Sequence, residues 1–181
     1  SYYGYKTDGF FKNYEEIGTS ALPVGANVHP GDLKFVDRNN DGIIDSKDRY
    51  ILGNAFPRYT FGFNYSVTWK GLDFSIFAQG VGKREMMVRG ELMEPFHSNY
   101  SYVMFQHQLD FWTPTNTDAR WPRLTAPSSA SSANNWRRPS DIYMLNGAYL
   151  RLKNITLGYT LPQVWTTKFG INKVRAYVTG Q

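Results

Sequence analysis

From Tyr59 to Lys70 the chain alternates strictly between apolar and polar positions. Tyr59, Phe61, Phe63, Tyr65, Val67 and Trp69 fall on one side, and Thr60, Gly62, Asn64, Ser66, Thr68 and Lys70 on the other. Successive side chains of a β-strand point to opposite faces, so the pattern predicts a strand with one aromatic and one polar face. Such a run exceeds the usual strand of a soluble domain and matches a tilted membrane-spanning one. Lys70-Gly71 predicts a tight turn, after which Leu72, Phe74, Ile76 and Ala78 alternate with Asp73, Ser75, Phe77 and Gln79 as a hairpin partner. The polar face would line a wet lumen and the aromatic face would meet lipid.

Alternation returns at Tyr149. Leu150 and Leu152 share one face, while Ile155, Leu157 and Tyr159 share a face of opposite parity. The phase slips at Lys153-Asn154, which predicts a β-bulge or the base of a spanning strand there. Leu161-Pro162 ends the strand, 163–170 reads as a turn, and Val174, Ala176 and Val178 mark a last strand. Residues 1–32 read as irregular. Between Gly82 and Asp141 the periodicity disappears, and the prolines, the SSASS run and rings such as Phe96, Tyr100, Trp112, Trp121 and Trp136 predict a large loop or lid.

Composition fits this picture. Aromatics make up 17% of the 181 residues, and with a negative mean hydropathy that describes strands apolar on one side only. No apolar run is long enough for a transmembrane helix. The absence of cysteine rules out disulfides and thiolate metal sites. The start, SYYGYKTDG, lacks the charged and apolar regions of a signal peptide. That start, and an end without a visible terminator, predict a piece of a larger protein. The net charge of +5 is spread as single residues apart from Lys83-Arg84 and Arg137-Arg138. Nucleic-acid binding favours a concentrated basic stripe, so no nucleic-acid partner is expected.

One segment carries the spacing of a cation site. In DRNNDGIIDSKD, Asp37 stands at position 1, Asn39 at 3, Asp41 at 5, the Ile43 carbonyl at 7, Asp45 at 9 and Asp48 at 12. Gly42 occupies position 6, where a calcium loop turns sharply. Hard oxygen donors at this spacing point to Ca2+. The flanks, GDLKFV and RYILGNAFP, hold β-formers, Gly and Pro rather than helices. Asp in place of Glu at position 12 has a shorter reach, so the expectation is a structural Ca2+ rather than a sensor. No catalytic set is evident. His29, His97 and His107 are isolated, His107 with Asp110 is a weak local pair, and Glu91 with Glu94 has no more claim to a glycosidase role than other acids. Arg137, Arg138 and Asp141 read as ties from the long loop to the strand tops.

Several stretches together resemble the SusC/RagA-type TonB-dependent outer-membrane transporters of Bacteroidota, in their C-terminal part. They are YYGYKTDGFF at 2–11, the block from GDLKFVDRNNDG to DFSIFAQG at 31–80, FWTP at 111–114, NGAYLRLKNITLGYTLP at 146–162 and VRAYVTGQ at 174–181. The resemblance implies an all-β fold, an antiparallel transmembrane β-barrel segment that is a fragment of a larger, 22-stranded barrel with long extracellular loops. It implies an extracellular loop region over 1–56 with the calcium loop 37–48, a β-hairpin over 57–81, a long extracellular loop over 82–148 and an incomplete hairpin over 149–181. It further implies a non-enzymatic importer of glycans or oligopeptides in the cell outer membrane. Its partners would be a SusD-type surface lipoprotein, TonB through parts of the parent absent here, outer-membrane lipid and a glycan or peptide ligand. The parent would pair as a dimer of transporter–lipoprotein complexes. On residues alone, a soluble calcium-stabilised β-sandwich that binds carbohydrate remains open, as does a fragment of a secreted glycan-active enzyme.

Overall fold

The structure is a computed structural model that describes residues 1–90, 92–97 and 102–181. Glu91 and Tyr100 lie outside the described residues. The chain forms two compact units, one from residues 1–55 and 85–145, the other from 56–84 and 146–181.

The first unit is built from short pieces. Its elements are β1 (Tyr2–Gly4), β2 (Thr7–Phe10), α1 (Tyr14–Thr19), β3 (Leu22–Pro23), β4 (Leu33–Phe35), β5 (Ile43–Ile44) and β6 (Tyr50–Gly53). Strands β1 and β6 pair antiparallel, as do β2 and β4, while β3 and β5 pair parallel. Helix α1 starts where the Asn13 side chain accepts the Glu16 N–H, with Glu15 and Glu16 in its positive first turn. Tyr5, Leu33, Phe35 and Ile44 form one apolar cluster. Trp121, Trp136 and Tyr143 form another, and Ile142 packs against both. Trp121 stacks on Tyr143 with ring centres 6.2 Å apart, and its indole N–H donates to the His107 carbonyl at 2.8 Å.

The second unit is a four-stranded antiparallel sheet. Strand β7 (Tyr59–Trp69) pairs with β8 (Leu72–Gly82). The chain then passes through β9 (Glu85–Met87), α2 (Ala130–Ser132) and β10 (Met144–Asn146) before returning as β11 (Tyr149–Thr160). After α3 (Gln163–Thr166), β12 (Arg175–Gly180) closes the spatial order β12-β11-β8-β7. Lys70 and Gly71 both take positive φ, 46° and 88°, giving the two-residue turn that suits twisted strands. The register shifts between Leu152 and Asn154, a bulge with Lys153 as the extra residue. It brings Leu150 and Leu152 onto the face of Ile155 and Leu157 despite their opposite parity. The polar face carries a cross-strand clasp: Arg175 of β12 donates from Nε and its terminal nitrogen to both oxygens of Asp73 on β8. The clasp passes over Gly158 of β11, where a Cβ would come within 2.6 Å of the Asp73 carboxylate. On the apolar face Gly80 leaves room for the Phe61 ring, 2.3 Å from where its Cβ would lie.

The expected all-β class does not hold. Short helices stand among small sheets, and the largest sheet is open, with β7 and β12 as unpaired edges rather than a closed barrel segment. The physical reason is that alternation specifies a two-faced sheet and says nothing about closure, while α1 and α2 start at side-chain caps, from Asn13 and Ser129, rather than from a periodic pattern. Residues 82–148 hold short ordered elements among their turns, including β9, α2 and β10. Much of the first unit's core comes from this stretch. Among the described residues no helix is long and apolar enough to cross a membrane.

Candidate functional site

The acidic loop connects β4 to β5 and runs on into a 3-10 turn at Ser46–Asp48. Its shape is set by carboxylates accepting backbone N–H groups. Asp37 takes those of Asn40 at 2.7 Å and Gly42 at 2.8 Å, Asn39 takes that of Asp41 at 3.2 Å, and Asp41 takes that of Ile43 at 3.1 Å. Gly42 has φ of 81°, the left-handed conformation that position 6 demands. Asp45 and Asp48 form a reciprocal cap: Asp45 accepts the Lys47 N–H at 2.7 Å, and Asp48 accepts the Asp45 N–H at 2.8 Å. Asp48 also accepts the Arg38 N–H at 2.9 Å and is fully buried. Burial pushes its carboxyl up, but the N–H groups of Asp45, Arg38 and Asn39 outweigh this and hold it below the ordinary carboxylate value.

Asp37, Asn39, Asp41 and Asp45 thus share the loop, and Lys47 approaches Asp41 and Asp45 at 3.9 and 3.8 Å. Ile43 is exposed at the start of β5. Among the described residues, no three acidic or histidine side chains gather closely enough to hold a metal ion. The donor chemistry still suits a hard cation. Asp37, Asp41 and Asp45 keep acceptor capacity beside the N–H groups that shape the loop, whereas both Asp48 oxygens are taken up in the buried cap.

Other candidate residues have structural duties. His107 Nε2 contacts the Leu92 carbonyl, while Asp110 accepts from Asn116 and from the Arg120 N–H, so the two do not act as a pair. Glu94 lies 3.4 Å from His97 and 3.8 Å from Arg89. Asp141 accepts both the N–H and hydroxyl of Thr7, Arg138 lies over the Tyr5 ring, and Arg137 donates to the Pro127 carbonyl. These ties run within the first unit rather than to the strand tops. A buried network around Asp32 has no counterpart in the sequence pattern. Its carboxylate accepts Arg123 at 2.6 Å, Asn135 at 2.8 Å, Ser131 at 3.0 Å and the His29 N–H at 2.9 Å. An acid between Gly31 and the apolar Leu33 was the available signal.

No protein-family model matches the chain. Over 191 residues it is 32% identical to TonB-dependent receptor P3 of Formosa agariphila, a match that covers all of this chain and 17% of that receptor. It is 27% identical to TonB-dependent receptor SusC of Bacteroides thetaiotaomicron, covering 91% of this chain and 15% of that one. Among solved structures, the RagAB peptide transporter superposes with a TM-score of 0.64 at 20% identity, covering 99% of this chain and 18% of that chain. The chain is therefore homologous to TonB-dependent receptors and shares the fold of the matched part of RagAB. It spans less than a fifth of these relatives. The homology is to receptors rather than enzymes.

Proposed function

We propose that this chain is the C-terminal part of a TonB-dependent outer-membrane importer of glycans or oligopeptides that works with a SusD-type surface lipoprotein. The observation that carries the reading is the 32% identity to a TonB-dependent receptor along the whole chain. The second unit adds physical support. All of β7 is exposed, and Tyr59, Phe61, Phe63, Tyr65 and Trp69 remain bare. A soluble sandwich would cover that face with a second sheet. Energy would reach the parent through TonB and segments outside this chain, residues 1–56 and 82–148 would face the cell exterior, and the parent would work as a pair of transporter–lipoprotein complexes. A structural Ca2+ held by Asp37, Asn39, Asp41, the Ile43 carbonyl, Asp45 and Asp48 would stiffen the exterior loop.

The test uses the full-length parent in its native cells. The expected result is an outer-membrane protein that co-purifies with a surface lipoprotein and whose deletion abolishes uptake of a labelled oligosaccharide or oligopeptide mixture. A soluble parent, or unchanged uptake, overturns the importer. On the same preparation, Ca2+ is expected to raise hydrogen-exchange protection across 37–48, and identical protection with chelator removes the metal.

A further inference from the structure

The end of the second unit's sheet that carries the Lys70–Gly71 turn also carries the whole β11–β12 connection. Gly71 presses against β11 there, its carbonyl accepting the Thr160 N–H at 2.7 Å. A cleft of about 440 Å3 opens at this end, with Lys70 and Lys173 in its walls beside Thr160, Pro162, Gln163 and Asn172. Residues 69–72 and 160–174 contain three lysines, Lys70, Lys168 and Lys173, and no acid. The adjacent acid, Asp73, already holds Arg175 with both oxygens, so the lysine charge at the cleft is unbalanced.

Large apolar side chains surround the same cations. Trp165 is 60% exposed and Phe169 82%, with Val164 and Trp69 also bare. Lys70 sits over the Trp69 ring at 5.1 Å. From the turn an apolar row crosses the sheet, because Trp69 pairs with Leu72, Leu72 with Tyr159 and Tyr159 with Ala176. A free anion has no use for those exposed rings, and an acidic protein partner has no use for an apolar row leading away from the charge. A lipid uses both. Trp belongs at the boundary between headgroup and acyl chain, an apolar Phe beside it inserts below that boundary, and lysines near a membrane surface attract its anionic headgroups.

We infer that this end of the sheet is a docking site for an anionic glycerophospholipid. Lys70 and Lys173 hold the headgroup phosphate in the cleft, Trp165 and Phe169 enter the interface, and an acyl chain lies along the Trp69–Leu72–Tyr159 row. The inference rests on the membrane location of the proposed importer and adds a particular lipid contact to it.

The test is lipid retention by the full-length parent, purified in mild detergent and weighed by native mass spectrometry after incubation with phosphatidylglycerol or phosphatidylcholine. The wild type is expected to keep phosphatidylglycerol preferentially. The double variant Lys70→Gln, Lys173→Gln is expected to lose roughly 30-fold in affinity, about fivefold per lysine, while Lys153→Gln on β11 matches the wild type. Equal retention by the double variant, or equal binding of the two lipids, overturns the site. Displacement of the lipid by inorganic phosphate alone overturns the lipid assignment. A membrane-bound parent with unaltered retention sinks the lipid site only, whereas a soluble parent sinks the importer with it.

Discussion

Asp48 holds the acidic loop shut by accepting two backbone N–H groups, from Arg38 and Asp45, in a fully buried position. Its carboxyl lies below the ordinary value in the folded chain. A depressed folded value means that the charged form is favoured by folding. The stabilisation is then complete above the unfolded aspartate value of about 3.9 and is lost as pH falls through the lower folded value. Between pH 5 and 8 the cap is insensitive to pH. Asp48→Asn keeps one acceptor oxygen and turns an NH2 group towards a buried N–H, which costs about 1–3 kcal/mol. Hydrogen exchange across 37–48 at pH 7 should rise in this variant, and the acid-dependent opening expected of the wild type should disappear. Wild-type protection at pH 7 in the variant would show that the cap is dispensable. The spacing of the loop foretold the turn at Gly42. The role of Asp48 as a cap is legible too, because the Asp45-Ser-Lys-Asp48 spacing serves a capping box as well as the last positions of a metal loop.

At the scale of elements, legibility followed the length of the pattern. Alternation over Tyr59–Lys70 marks β7, the Lys70-Gly71 pair marks its turn, and the parity change at 153–154 marks the bulge. The first unit stayed hidden because its strands are only two to four residues long, too short for a period to register. Their pairings also join distant segments, as in β1 with β6. The bulge yields a sharp expectation. Leu152 pairs with Ala78, and Ile155 pairs with Ile76, only because Lys153 is spare. Deleting Lys153 removes the spare residue, so the 152–78 and 154–77 pairings become continuous and Leu150 and Leu152 stay on the apolar face. A cysteine pair placed at 78 and 152 of the full-length parent should therefore crosslink equally with Lys153 present or deleted. Loss of the crosslink on deletion would mean that the ladder closes in another register.

At the scale of the whole molecule, the two units are stabilised differently. The sheet depends on its ladder and on strand-to-strand contacts such as the Asp73–Arg175 clasp over Gly158. The first unit depends on a polar centre between two apolar clusters, with Asp32 binding Arg123, Ser131 and Asn135 across about a hundred residues of sequence. No composition or spacing argument finds such a centre, because its members share neither a segment nor a period. Asp32→Ala strands the Arg123 guanidinium and leaves the Asn135 amide without its acceptor, while the Ser131 hydroxyl keeps the Asn27 carbonyl. Removing one member of a buried charge pair costs about 3–5 kcal/mol, a large part of a domain's stability. Hydrogen exchange of the full-length parent should therefore show lost protection across 1–55 and 85–145, with the β7–β8–β11 ladder unchanged. Loss spread equally into that ladder would show that the units open together. Protection retained throughout would mean that the aromatic clusters alone hold the first unit, and that Asp32 is a passenger in its core.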